Sequence, residues 1–221
     1  MTGSAERRYT PLPVEARGEA GKKKIGGYAA IFNRESRNLG GFVERIDPAF
    51  FNKSRGDGWP DVMARYNHDD NQLLGTTGAG TLRLMVDEVG LDYEVVPPAA
   101  RADVVELVER GDVRQSSFAF RAFEEDWGLT DQGFPLRTLL SGQLVDVAPV
   151  NTPAYVDTTA GLRSLAKFKG AVFEEVRALA DADDLRKLFV VTGGVLAPAR
   201  QPVSGVSAVT VLMGKRQDPF S

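Results

Sequence analysis

A chain of 221 residues holds one sizeable domain with extensions or two small ones, at about 150 residues per domain, which excludes a large multidomain machine. Hydrophobic residues at 43% and charged residues at 26% describe a chain able to bury a core and exclude disorder throughout. Lys and Arg number 27 against 30 Asp and Glu, a formal charge of -3, so there is no general attraction to phosphate backbones and no nucleic-acid partner is expected.

Residues 1–24 carry Pro11, Pro13 and the run Lys22, Lys23, Lys24 with little that is large to bury. They read as a flexible arm, since such a composition does not offset the entropy lost on ordering. No apolar stretch of the secretory type occurs there, so an intracellular location is expected. From Ile25 onward, short segments rich in Val, Leu, Phe and Tyr alternate with turn residues. This texture predicts strands over 24–33, 41–46, 61–67, 81–87, 91–96, 113–123, 134–140 and 143–150. Ser141-Gly142 reads as the turn between the last two.

Two helices interrupt the strands. Asp47-Pro48 reads as an N-cap followed by proline at the first helical position, opening a short helix. A longer helix is predicted over 99–110, with Gly111 as its left-handed stop. The pattern as a whole predicts an α+β, mainly β fold: an antiparallel barrel or sandwich with packed helices, because strands and helices do not alternate regularly. Beyond residue 165, Val172, Phe173, Val176 and Leu179, then Leu185, Leu188 and Phe189, recur at helical spacing. Two short amphipathic helices are expected there, either as a packed appendage or as a means of self-association, and the last thirty residues read as a loose tail. The resulting division is 1–24, 25–165 and 166–221. The longest apolar run, Tyr28 to Phe32, is far short of the ~20 residues a spanning helix requires, so no membrane association is expected.

The absence of cysteine removes thiol catalysis and Cys-ligated metals. A single histidine, His68, leaves no His-rich site within one subunit and only oxygen-ligand sites for Mg or Ca; no metal or cofactor is expected. His68 follows a predicted strand in Tyr66-Asn67-His68-Asp69-Asp70 and is the one side chain whose unperturbed pKa, ~6.5, suits proton transfer near neutrality. A surface histidine in an acidic turn is the plainer alternative. Asp69 and Asp70 make a poor metal pair, because neighbours on a strand point to opposite faces. In Gln115-Ser116-Ser117-Phe118-Ala119-Phe120-Arg121, an extended chain puts Ser116, Phe118 and Phe120 on a core face. Ser117, Ala119 and Arg121 then share the other face, where Ser117 has room to act as a nucleophile and Arg121 to help bind a substrate; a pair of strand-start serines bonding to backbone is the plainer alternative. Asp146 interrupts an apolar strand, and an ionised carboxylate there needs a partner, either an arginine or a histidine ring to orient.

These residues belong to a longer ordered succession. Gly27-Tyr28-Ala29-Ala30-Ile31-Phe32-Asn33 is followed by Glu44-Arg45-Ile46-Asp47-Pro48-Ala49-Phe50, Asn67-His68-Asp69, Leu74-Gly75 and Gly90-Leu91. Ser116-Ser117-Phe118-Ala119-Phe120 and Val147-Ala148-Pro149-Val150-Asn151-Thr152-Pro153-Ala154-Tyr155 close it. The succession, over about residues 25–160, resembles the prohead proteases of tailed bacteriophages. That family is similar in fold and chemistry to the herpesvirus capsid-maturation protease (assemblin), which implies an antiparallel β-barrel core surrounded by helices. The resemblance implies His68 as general base, Ser117 as nucleophile and Asp146 as the orienting acid. The family more often shows Glu-Val-Ser where this chain has Asp146-Val147-Ala148, and Phe-Gly-Phe where it has Phe118-Ala119-Phe120. The herpesvirus enzymes use a second histidine in the third role, which a chain with one histidine does not have. Also implied are the major capsid protein and a scaffold (delta-type) segment as protein substrates, self-cleavage at the floppy ends, homo-oligomers, and action in the host cytoplasm inside the assembling prohead. The alternative on the same fold is a catalytically inactive scaffold or assembly protein, which predicts that the three residues lie too far apart to bond.

Overall fold

Alternation of buried and exposed side chains organises the chain into two sheets with one apolar core between them. The computed structural model describes residues 5–19, 23–151 and 158–190. All belong to one unit, Met1–Val190; the expected loose tail falls in a second, Val191–Ser221, outside the described residues. The end of the resemblance, 152–155, also lies outside them.

In chain order the strands are β1 (Glu6–Pro13), β2 (Glu15–Arg17), β3 (Lys24–Ile31), β4 (Val43–Ile46), β5 (Met63–Arg65), β6 (Leu73–Thr76), β7 (Leu82–Val86), β8 (Gly90–Val95), β9 (Gln115–Leu129) and β10 (Pro135–Val150). Helices α1 (Asn52–Gly56), α2 (Ala102–Arg110), α3 (Thr159–Lys169) and α4 (Phe173–Asp181) complete the frame. One sheet runs β1-β9-β10-β5-β6, with β4 also pairing β10; the other runs β2-β3-β8-β7. The structure is α+β and mostly sheet, as expected, but in place of the expected antiparallel barrel it has two sheets. β1 and β6 pair on one side only, as do β2 and β7, so among the described residues neither sheet closes. Pairing is mixed as well, because the long β10 takes β4 and β5 as parallel neighbours and β9 as its antiparallel one.

Phe118, Phe120 and Leu144 from one sheet meet Ile25, Leu91 and Tyr93 from the other in the core, with Phe50 and Phe51 wedged beside them. The Phe50 ring packs edge-on to Phe51 and Phe120. Phe50 also explains a misread turn. Ser141-Gly142 does not separate two strands; β10 runs through it with a register shift. A Cβ on Gly142 would come within 2.3 Å of the Phe50 ring, so the glycine marks a close approach rather than a reversal.

Other sequence expectations shift for local reasons. The supposed flexible arm contains β1, with Glu6, Arg8 and Thr10 buried and a register of Arg8 opposite Phe118 and Tyr9 opposite Ser117. Charge pairing holds this strand in place of apolar side chains. Asp47 caps a turn by accepting the Ala49 amide at 2.7 Å, and α1 starts only at Asn52. The helix over 99–110 opens as a 3₁₀ turn before α2, and Gly111 ends it at φ 80. Helix α3 was not foreseen and straddles the expected boundary at residue 165. Its Leu162 and Leu165 join Phe42, Trp127, Val176 and Leu185 in a second apolar cluster, so 173–188 is a packed appendage.

Candidate active site

Three chain segments converge on the open end of the β9–β10 hairpin, away from its turn. In β9 the strand alternation sends Ser116 to the core, where its hydroxyl lies 3.2 Å from the Tyr93 hydroxyl. Ser117 consequently points the other way. In β10 a register shift between Leu144 and Asp146 leaves Val145 unpaired and sets Asp146 opposite Ala119. Such a bulge re-aims the side chains that follow it. Next to Asp146, β5 pairs through Met63 and then breaks into the 3₁₀ turn Tyr66–His68.

That turn is strained. Asn67 and His68 both have left-handed backbones, φ 54 and 57, which non-glycine residues adopt at a cost and which concentrate at functional sites. The conformation is held by the Tyr66 amide donating to Gln72, the Asp69 amide donating to Tyr66, and the Asn67 side chain accepting the Asn151 amide at 3.1 Å. The effect is to turn the His68 ring back toward the hairpin.

The ring bridges the other two groups. His68 Nδ1 lies 2.6 Å from Asp146 Oδ1, and His68 Nε2 lies 2.6 Å from Ser117 Oγ. The second carboxylate oxygen, Asp146 Oδ2, accepts Arg65 Nη1 at 2.9 Å. Burial is nearly complete, with relative exposures of 6% for His68, 2% for Asp146 and 0% for Ser117. Burial by itself raises the pKa of Asp146, but the hydrogen bonds and charges of His68 and Arg65 outweigh it and hold the carboxyl below its usual range. The acid is thus kept ionised where a carboxylate oxygen faces an imidazole nitrogen. A base in reach of a hydroxyl, oriented by an anion on its far side, is the arrangement that activates a serine for acyl transfer.

The three residues singled out from sequence, His68, Ser117 and Asp146, are thus within hydrogen-bonding reach of one another through the ring. The two partners considered for Asp146, an arginine and a histidine, are both present, one on each oxygen. Arg65 itself was missed; the signal was a cation three residues before the lone histidine. Arg8 was missed too, having been assigned to the arm, yet its carbonyl oxygen accepts Ser117 Oγ at 2.8 Å. Asp70 pairs with Arg65 at 3.2 Å and Asp69 accepts the Asn71 amide, so the two acids serve separate partners. Arg121, expected beside the site, is partly buried and its Nε has no partner among the described residues.

No group of three His, Cys, Asp or Glu suited to a metal occurs among the described residues. No helix among them is long and apolar enough to cross a membrane. Searches of curated proteins and of solved structures returned no match. A family model described as caudovirus prohead serine protease matches residues 10–170, starting inside β1 and ending just past α3. With the greater part of its length matched, from the first strand through the serine, histidine and acid to the helix beyond, this chain belongs to the caudovirus prohead serine protease family.

Proposed function

We propose that the chain is a serine endopeptidase that matures the prohead by cutting the scaffold segment or the amino-terminal extension of the major capsid protein, and then itself. The observation that carries this reading is the single imidazole 2.6 Å from a hydroxyl on one side and 2.6 Å from a carboxylate on the other. Ser117 Oγ attacks the scissile carbonyl carbon while its proton passes to His68 Nε2. Collapse of the tetrahedral intermediate breaks the C–N bond, and His68 returns the proton to the leaving amine. Water, deprotonated by the same nitrogen, then hydrolyses the acyl ester and restores the hydroxyl. Asp146 stays ionised throughout, accepts the Nδ1 proton's hydrogen bond and stabilises the imidazolium; Arg65 fixes its other oxygen.

The work is done in the host cytoplasm inside the assembling prohead. The rival, an inactive scaffold protein, requires the three groups to lie apart and so finds no support in their spacing. Co-expression with the cognate major capsid protein, followed by mass spectrometry of intact chains, tests the proposal. New capsid-protein termini are expected; a capsid protein left at full length beside a folded enzyme would contradict it.

A further inference from the structure

Ser117 has no exposed surface, an unusual state for a nucleophile that must meet a polypeptide. What lies against it is the chain's own first strand, with Tyr9 opposite Ser117 in register and the Arg8 carbonyl oxygen 2.8 Å from Oγ. The hydroxyl has one proton and two acceptors in reach, Arg8 O and His68 Nε2. Donated to Arg8, that proton is not aligned for transfer to His68. The Arg8 carbonyl also presents its oxygen to the hydroxyl, whereas a bond about to be cut turns its oxygen to separate hydrogen-bond donors and offers its carbon. β1 is therefore seated as a blocking strand.

Resting on the protease reading above, we infer that the edge of β9 beside Ser117 is the seat of the substrate's extended strand and that β1 fills it as a built-in shield, which an incoming polypeptide must displace. Main-chain pairing to a sheet edge is a general way to bind an extended peptide. β1 is placed to leave. Among the described residues it is the edge strand of its sheet, paired only to β9, so its departure breaks no second ladder there. The pairing is already interrupted between Thr10 and Pro13, where Pro11 and Pro13 have no amide hydrogen to give. Beside β1 lies a pocket of about 270 Å³ lined by Arg7, Tyr9, Arg34, Arg37 and Phe118 among others, so one face of the strand borders open space.

Its buried charges leave in balance. β1 contributes Glu6 and Arg8, one of each sign, to an ion cluster with Glu44 and Arg137. Without them, Arg137 keeps Glu44 at 2.9 Å and Glu125 at 2.6 Å. Arg137 thus keeps two carboxylates, while Glu44 gives up the two hydrogen bonds it accepts from Arg8, a cost the incoming strand has to offset.

The chain has no native cysteine, which permits a clean lock in the full-length protein. Arg7→Cys with Ala119→Cys joins a pair that is opposite in register; the bridge is verified by intact mass, and Ser117 is titrated with a fluorophosphonate probe located by peptide mass spectrometry. The oxidised form should label at least about tenfold more slowly than the same protein after reduction. A second full-length variant, Tyr9→Pro, removes an amide from β1 and should label at least about tenfold faster than the unsubstituted chain. Equal rates in the oxidised and reduced forms, or an unchanged rate in Tyr9→Pro, overturn the shield and leave the protease reading standing. A chain found cut between Arg8 and Tyr9 also overturns it, since β1 would then be a substrate. No labelling of Ser117 in any form removes the protease reading itself.

Discussion

Two groups of buried polar side chains lie on the same hairpin and use similar parts to different ends. At one end of β10, Asp146, His68 and Ser117 form a line, with Arg65 on the far oxygen of the acid. Toward the other end, Arg137 and Arg8 are enclosed by Glu6, Glu44 and Glu125. The physics of the carboxylates is shared. Burial raises the pKa of Glu6 as it raises that of Asp146, and in each case paired cations and hydrogen bonds more than reverse it. The difference is in what completes each group. In the cluster the side chains are mainly paired charge to charge: Arg137 reaches three carboxylates and Arg8 holds Glu44 through two nitrogens, with the Ser164 hydroxyl donating to Glu125 at its margin. In the line the acid is followed by an imidazole and a neutral hydroxyl, both able to exchange a proton. A buried charge closed by charges serves structure; a buried charge that ends on a histidine and a serine is arranged as the proposed proton transfers require.

That contrast predicts that damage to the two groups will be felt in different measurements. Asp146→Asn keeps the shape of the acid but no longer secures the Nδ1 proton or balances an imidazolium. Turnover on the capsid substrate should fall by about 10⁴-fold, while the unfolding midpoint in denaturant stays near that of the unsubstituted chain. Unchanged turnover would show that His68 is oriented by something else. Arg137→Met should act the other way round. Removing the cation leaves carboxylates buried without it, and equilibrium unfolding should show a loss of about 3–5 kcal/mol. A loss below about 1 kcal/mol would mean that the cluster is not what holds β1 and β4 against the hairpin.

The line was legible in the sequence because its parts are scarce. There is one histidine, one acid inside an otherwise apolar strand, and a serine pair whose faces follow from strand alternation. The family pattern then joined residues that folding brings together from separate strands. The cluster was not legible. Glu6-Arg7-Arg8-Tyr9-Thr10 carries no apolar alternation, and what buries it is partners far along the chain, Glu44 for Arg8 and Arg137 for Glu6. Such pairing leaves no local signal, so β1 reads as a loose arm. Gly142 failed for a related reason: a glycine accommodating the Phe50 ring looks like a glycine that turns the chain. The strands over 82–86 and 90–95 were recovered closely because a hairpin between them needs only local information. Closure of a barrel depends on which edges find partners, and that is written in no single segment.

The central claim is that the serine turned toward His68, and not its neighbour turned toward Tyr93, is the one that cuts. Cleavage of the co-expressed capsid protein by Ser117→Ala and by Ser116→Ala, each checked for a cooperative unfolding transition, tests it most directly. The account predicts no detectable product from Ser117→Ala and most of the normal product from Ser116→Ala. Equal losses in the two variants, or cleavage that survives in Ser117→Ala, would contradict it.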